Sequence, residues 1–164
     1  DGGHRLYDPE ASLKRLRLIQ TLSRRGKSLP EIKEELMSRR QKLKILIVDD
    51  EEEVSSFLND FLKSTPANFE IEIVRDGFSA GKKCVEWIPD VMILDLMLAG
   101  LNGIEVCRTL RRDPEMSDVK ILAITGYDTP DNVKAIKEAG ANEYLAKPFG
   151  VSELTGALKK LAIL

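Results

Sequence analysis

Ile45-Leu46-Ile47-Val48-Asp49-Asp50 is an aliphatic run that stops on two carboxylates. Its four apolar residues show no alternation, so neither side of the segment is suited to water. A strand buried on both faces reads this way, as in the middle of a parallel sheet. Two further runs have the same character, Val91-Met92-Ile93-Leu94 and Ile121-Leu122-Ala123-Ile124. Phe69 to Val74 alternates apolar and polar residues and suits an edge strand. A short fifth strand is expected near 143–146. Helical patterns fall between, at about 51–64, 77–88, 103–112, 130–139 and 151–162. Five β-α units with three buried runs predict an α/β fold, a doubly wound five-stranded parallel sheet with helices on both faces.

In such a sheet, sites form outside the carboxyl ends of the strands. Asp49 and Asp50 follow the first strand, Asp95 the third, Thr125-Gly126 end the fourth, and Lys147-Pro148 follow the fifth. An aspartate after one strand is ordinarily a turn or cap residue. Asp50 before Glu51-Glu52-Glu53 also fits the first turn of a helix, where acids favour the dipole. The joint placement at four strand ends is harder to explain locally. Three carboxylates gathered in one crevice repel one another, and a hard divalent cation such as magnesium is the natural remedy. Lys147 supplies one positive charge on a flexible stem.

The rest of the composition narrows the field. The chain has 164 residues, with hydrophobic residues at 43% and charged residues at 32%, which suits a globular protein of one domain and an appendage. No apolar run approaches the roughly 18 residues of a membrane span, and the segment from Asp1 has no signal-peptide core. Cys84 and Cys107 are expected as unbridged thiols, which points to a reducing cytoplasm, and without a spanning run no membrane partner is expected. A single histidine, His4, excludes a His-rich metal site. Residues 1–44 hold 12 Lys and Arg against 6 Asp and Glu, and residues 45–164 hold 13 against 21. A basic arm on an acidic domain suggests two jobs.

From Lys44 to Leu164 the chain resembles the response-regulator receiver family. The carrying residues are Ile45-Leu46-Ile47-Val48-Asp49-Asp50, Ile93-Leu94-Asp95-Leu96-Met97, Asn102-Gly103, Ile124-Thr125-Gly126 and Tyr144-Leu145-Ala146-Lys147-Pro148-Phe149. The resemblance implies a flavodoxin-like strand order 2-1-3-4-5 and Asp95 as phospho-acceptor. Asp50, Asp95 and the Met97 backbone carbonyl would be the Mg2+ ligands, with Asp49 acting through water. Thr125 and Lys147 would contact the phosphoryl group, and Thr125 with Tyr144 would form a switch. It also implies a cis Lys147-Pro148 bond, where proline makes cis inexpensive. Ala99 stands where the family often has proline. The implied partner is a sensor histidine kinase or phosphotransfer protein, and the implied role a two-component response regulator.

The arm, residues 1–41, reads as two short helices. Asp8-Pro9 and Ser28 with Glu31 mark the starts, Gly26 the first stop. His4-Arg5-Leu6-Tyr7-Asp8, Leu16, Ile19, Leu22, Gly26, Ser28-Leu29, Glu31-Ile32 and Leu36 resemble the later part of a MerR-type DNA-binding domain, over residues 2–37. The helix-turn-helix that opens that pattern is not in this sequence. DNA is therefore expected as a partner through a reader upstream of Asp1, and the output as transcription. A bare packing arm is the alternative reading, and a homodimer is one arrangement it allows.

Two other functions fit a domain of this pattern. A phosphorylation-independent protein-binding module would be marked by loss of Asp95, Lys147 or the acidic pair, and all are present. An aspartyl-phosphate phosphatase wants a second acid two residues after the nucleophile, where this chain has Met97, which cannot move protons. No enzyme activity beyond the domain's own phosphorylation and dephosphorylation is expected. No G-x-G-x-x-G follows the first strand, which removes dinucleotide binding.

Overall fold

The computed structural model describes residues 9–100 and 102–164. The Asp8 cap and the His4–Asp8 motif lie outside the described residues. The chain divides into two compact units, Asp1–Arg40 and Gln41–Leu164.

In the first unit, α1 (Pro9–Arg24) and α2 (Leu29–Gln41) match the two expected helices. Gly26 ends α1 at φ +77°. Its N–H donates to the Ser23 carbonyl and Lys27 N–H to the Leu22 carbonyl, both at 3.0 Å. This paired closure needs a left-handed residue, which glycine supplies without steric cost. Glu31 reaches back to start α2, accepting from Ser28 N–H at 2.7 Å and from Ser28 Oγ–H at 2.6 Å. Leu22 and Ile32 are buried.

The second unit runs β1 (Leu43–Val48), α3 (Glu52–Ser64), β2 (Phe69–Val74), α4 (Gly77–Trp87), β3 (Val91–Asp95), α5 (Gly103–Arg112), β4 (Lys120–Thr125), α6 (Pro130–Glu138), β5 (Glu143–Ala146) and α7 (Val151–Lys160). All five strands are parallel in the order β2-β1-β3-β4-β5. The three non-alternating runs occupy the three central places, and the alternating one is the partly exposed edge β2.

Side chains alternate across the sheet. Ile45, Ile47, Val91, Ile93, Leu122 and Ile124 face one side and join Leu58, Leu62, Leu154 and Leu158 of α3 and α7 in the main core. Met92 on the opposite side faces Cys84 of α4 and Leu110 of α5 across a cavity of about 540 Å³. Cys84 and Cys107 are buried and unbridged. Burial pushes both thiols up to about 11, so they behave as packing residues. Among the described residues, no helix is long and apolar enough to cross a membrane.

Register fixes where the strands end. Val48 lies beside Leu94, Asp95 beside Ile124, and Thr125 beside Ala146. The residues that close β1, β3, β4 and β5 therefore share one rim.

Candidate functional site

The rim is built from a repeated local turn. Asp49 Oδ1 accepts from Glu51 N–H at 2.8 Å, Asp95 Oδ1 from Met97 N–H at 2.8 Å, and Thr125 Oγ1 from Tyr127 N–H at 3.0 Å. In each, the side-chain oxygen at a strand end takes the backbone donor two residues on. Asp and Thr suit such turns because their short side chains reach the local backbone. The turns hold three polar side chains at the mouth of an apolar sheet. Asp49, Asp95 and Thr125 are exposed by only 1%, 3% and 1%, so they are fixed by the fold rather than by water.

Lys147 enters from β5. Its Nζ lies 2.7 Å from Asp95 Oδ2, 2.6 Å from Glu51 Oε1 and 3.5 Å from Asp49 Oδ2. The Lys147–Pro148 peptide bond is cis, as the resemblance implied. Burial works against the lysine's charge. The hydrogen bonds to Asp95 and Glu51 and the charges of Asp95 and Asp49 outweigh it and hold the ammonium above its ordinary pKa. Burial likewise raises the Asp49 carboxyl. The Asp95 charge adds to that rise, while the Glu51 N–H and Lys147 oppose it.

Carboxylate oxygens of Asp49, Glu51 and Asp95 all lie within 4.8 Å of one another. Three acids and one lysine leave an excess of negative charge, and the donors are all hard oxygens. That donor set fits a small divalent cation. The grouping differs from the expected one in one member. Asp50 is exposed and stands outside the group, and Glu51 takes a place in it. The turn at Asp49 explains this: it captures the N–H of Glu51 and folds the chain back toward Lys147. Glu51 is also the N-cap position of α3, yet its side chain caps nothing and is spent on Lys147. In sequence it is only the first of three consecutive glutamates before a helix, so its signal is masked.

The loops around the site are fixed by two further contacts. Asn102 caps α5, accepting from Ile104 and Glu105 N–H at 3.1 and 3.3 Å. Gly103 lets α5 approach the segment after Asp95, since a Cβ there would lie 2.6 Å from the Leu96 Cα. Asn132, in the first turn of α6, donates from Nδ2 to the Tyr127 carbonyl at 2.6 Å and to Thr125 Oγ1 at 3.4 Å. It was not singled out from the sequence, because an Asn seven residues after a strand carries no local signal. Tyr144 stands apart, beside Lys137, whose Nζ is 5.7 Å from its ring centroid. Met97 and Tyr127 flank a cleft next to Thr125 and are exposed by 55% and 60%.

Residues 45–159 match the family model described as "Response regulator receiver domain". The chain belongs to the response-regulator receiver family. Among curated relatives, the DNA-binding response regulator MtrA of Mycolicibacterium paratuberculosis is 39% identical over 116 residues, 71% of this chain and 49% of that protein. The chain thus spans about half the length of the curated relatives it matches. Among solved structures, the signal receiver domain of a DNA-binding response regulator (merR) from Colwellia psychrerythraea 34H is 32% identical. It has a TM-score of 0.69 and covers 74% of this chain and 99% of that one. The Mn(2+)-bound form of the response regulator Rcp1 is 26% identical with a TM-score of 0.63, covering 73% and 91%. The receiver domain here is the second compact unit, and its strand-end rim is the place where the family's fold gathers Asp49, Asp95, Thr125 and Lys147.

Proposed function

We propose that this receiver domain accepts a phosphoryl group on Asp95 and so controls the output of a transcriptional regulator. The observation that carries the reading is the Lys147–Asp95 pair. Two residues 52 apart in sequence meet at 2.7 Å inside a rim of carboxylates, a buried charge cluster that apolar side chains could replace if stability were its only role. Asp95 forms the new bond to phosphorus through a carboxylate oxygen, in line with the bond to the leaving group, which departs with its electron pair. Lys147 is placed to offset charge on the phosphoryl oxygens. Asp49, Glu51 and Asp95 would hold Mg2+, joined by Asp50 and the Met97 carbonyl in the pattern of the family. When bound, the ion supplies charge neutralisation at the phosphoryl oxygens. Thr125 would then donate a hydrogen bond to a phosphoryl oxygen, and Tyr144 would move into the space that it leaves, carrying the event to the face of α6, β5 and α7.

The phosphodonor in this reading is a sensor histidine kinase or a phosphotransfer protein. Residues 2–37 form the later part of a MerR-type DNA-binding segment, so that DNA is the output partner, in the cytoplasm. The domain acts on no external substrate. Incubation with acetyl phosphate and Mg2+, followed by intact mass, tests the site. A stoichiometric adduct on the wild type that disappears in Asp95→Asn is expected. A fully labelled Asp95→Asn variant would overturn the assignment, and continuous release of phosphate would move the protein to the phosphatases.

A further inference from the structure

The Thr125 hydroxyl is held in a small hydrogen-bonded loop. Thr125 ends β4 and is 1% exposed, so water does not compete for it. Its Oγ1 accepts from Tyr127 N–H at 3.0 Å, lies 3.4 Å from the Tyr127 carbonyl, and takes the Asn132 Nδ2 donor at 3.4 Å. The same Asn132 amide donates to the Tyr127 carbonyl at 2.6 Å, and the Asn132 N–H bonds Thr129 Oγ1 at 3.3 Å. One side chain on the first turn of α6 thus ties both ends of the segment 125–127. The two sides of the rim are separately satisfied: Asp95 is engaged by Lys147 and Met97 N–H, and Thr125 by the loop.

We propose that Asn132 is a positioning residue that keeps the Thr125 hydroxyl on the loop after β4, and thereby sets how readily the site closes on a phosphorylated Asp95. The inference rests on the reading of Asp95 as acceptor and Thr125 as phosphoryl contact. For Thr125 to turn to a phosphoryl oxygen, its contact with Asn132 must break, together with its contacts to the Tyr127 N–H and carbonyl. That carbonyl stays satisfied by Asn132 at 2.6 Å, so the Tyr127 N–H is the one backbone group that must find a new acceptor when the threonine is released. The amide is therefore a clasp with an asymmetric grip, short to the carbonyl and long to the hydroxyl, and the long contact is the one that yields. Removing the side chain withdraws a contact made only in the resting arrangement. The equilibrium should then shift towards the closed site by roughly three- to tenfold, the factor of one neutral hydrogen bond. A residue that merely supports the loop would leave the Thr125 rotamer unchanged when removed, or would change labelling equally in the Thr125→Ala background.

The experiment uses the full chain as wild type, Asn132→Ala, Thr125→Ala and the double variant. In unphosphorylated protein, three-bond couplings to the Thr125 methyl carbon report its χ1 rotamer. A single rotamer in the wild type and an averaged one in Asn132→Ala are expected. With acetyl phosphate and Mg2+, Asn132→Ala should label faster than wild type by roughly three- to tenfold, while adding it to Thr125→Ala should change nothing. An unchanged rotamer, an unchanged or slower labelling rate, or an equal gain in the Thr125→Ala background would overturn the proposal. A wild type that takes no label on Asp95 would remove the reading of the acceptor site, and the rotamer measurement would still decide the role of Asn132.

Discussion

Asp49 and Lys147 respond to pH in the same sense within one cluster, but in two different windows. The Asp49 carboxyl is raised above its ordinary 3.8. The unfolded chain ionises first, so the stabilisation from this group is complete below 3.8 and is lost as pH rises through the folded value. Lys147 is raised above its ordinary 10.5, so its stabilisation is complete below 10.5 and is lost only above that. At neutral pH without divalent cations, Asp49 therefore weakens the fold and Lys147 supports it. Asp49→Asn and Asp95→Asn should each leave the cation-free protein as stable as the wild type or more so in urea unfolding. Lys147→Met should lose about 2–4 kcal/mol, because it leaves buried carboxylates unpaired, and Mg2+ should restore part of that loss. A Lys147→Met variant as stable as wild type would show that the acids are relieved in some other way. The carboxylate cluster itself was half legible in the sequence. Asp49 and Asp95 follow buried runs and could be placed, whereas Glu51 enters only through the backbone turn that Asp49 creates.

The strands and helices were legible nearly to the residue because their signals are local. Non-alternating runs mark β1, β3 and β4, and the period-two pattern marks the edge β2. Thr129 before Pro130 opens α6, with the threonine Oγ1 accepting from Asn132 N–H. What ties the elements together was not legible. Arg111 at the end of α5 donates to the carbonyls of Gly140, Ser117 and Val119 and to Asn142 Oδ1, at 2.7–3.1 Å. It joins the ends of α5, α6 and β4 with one guanidinium, yet in sequence it is only the first of two arginines on an exposed-looking turn. Gly140, at φ +98°, lies so close that a Cβ would be 2.5 Å from the Arg111 Cγ. Arg111→Ala should cost about 2–4 kcal/mol, as for other buried hydrogen-bond networks that lose a charged donor. Gly140→Ala should cost a similar amount through backbone strain and this contact. The reverse case is Ala162, which closes α7 at φ +51° and is exposed. Ala162→Gly should raise stability by about 1 kcal/mol, since glycine takes the left-handed conformation without the alanine's penalty. Thermal unfolding of the three variants checks these signs, and an Ala162→Gly protein that melts lower would refute the strain at that turn.

The chain carries two charge characters that coincide with its two compact units. Residues 1–40 hold 10 Lys and Arg against 6 Asp and Glu, and residues 41–164 hold 15 against 21. The second unit contains the whole sheet and its own core, so the acceptor chemistry should not need the first. Among its described residues the first unit has two helices, with Leu13, Leu16, Leu29 and Met37 exposed. Positive charge alone gives contacts to phosphate and no sequence choice. Any DNA binding by this chain should therefore be weak and indifferent to sequence. With about four phosphates neutralised, affinity should fall about a hundredfold between 50 and 200 mM salt. A protein of residues 41–164, with its acidic excess, should lose that binding while labelling on Asp95 at the rate of the full chain. The two measurements separate the units. Sequence-selective binding at physiological salt by residues 1–164 would place a base reader within the arm. Slower labelling of residues 41–164 would show that the arm takes part in the acceptor site, against the independence that the separate cores lead one to expect.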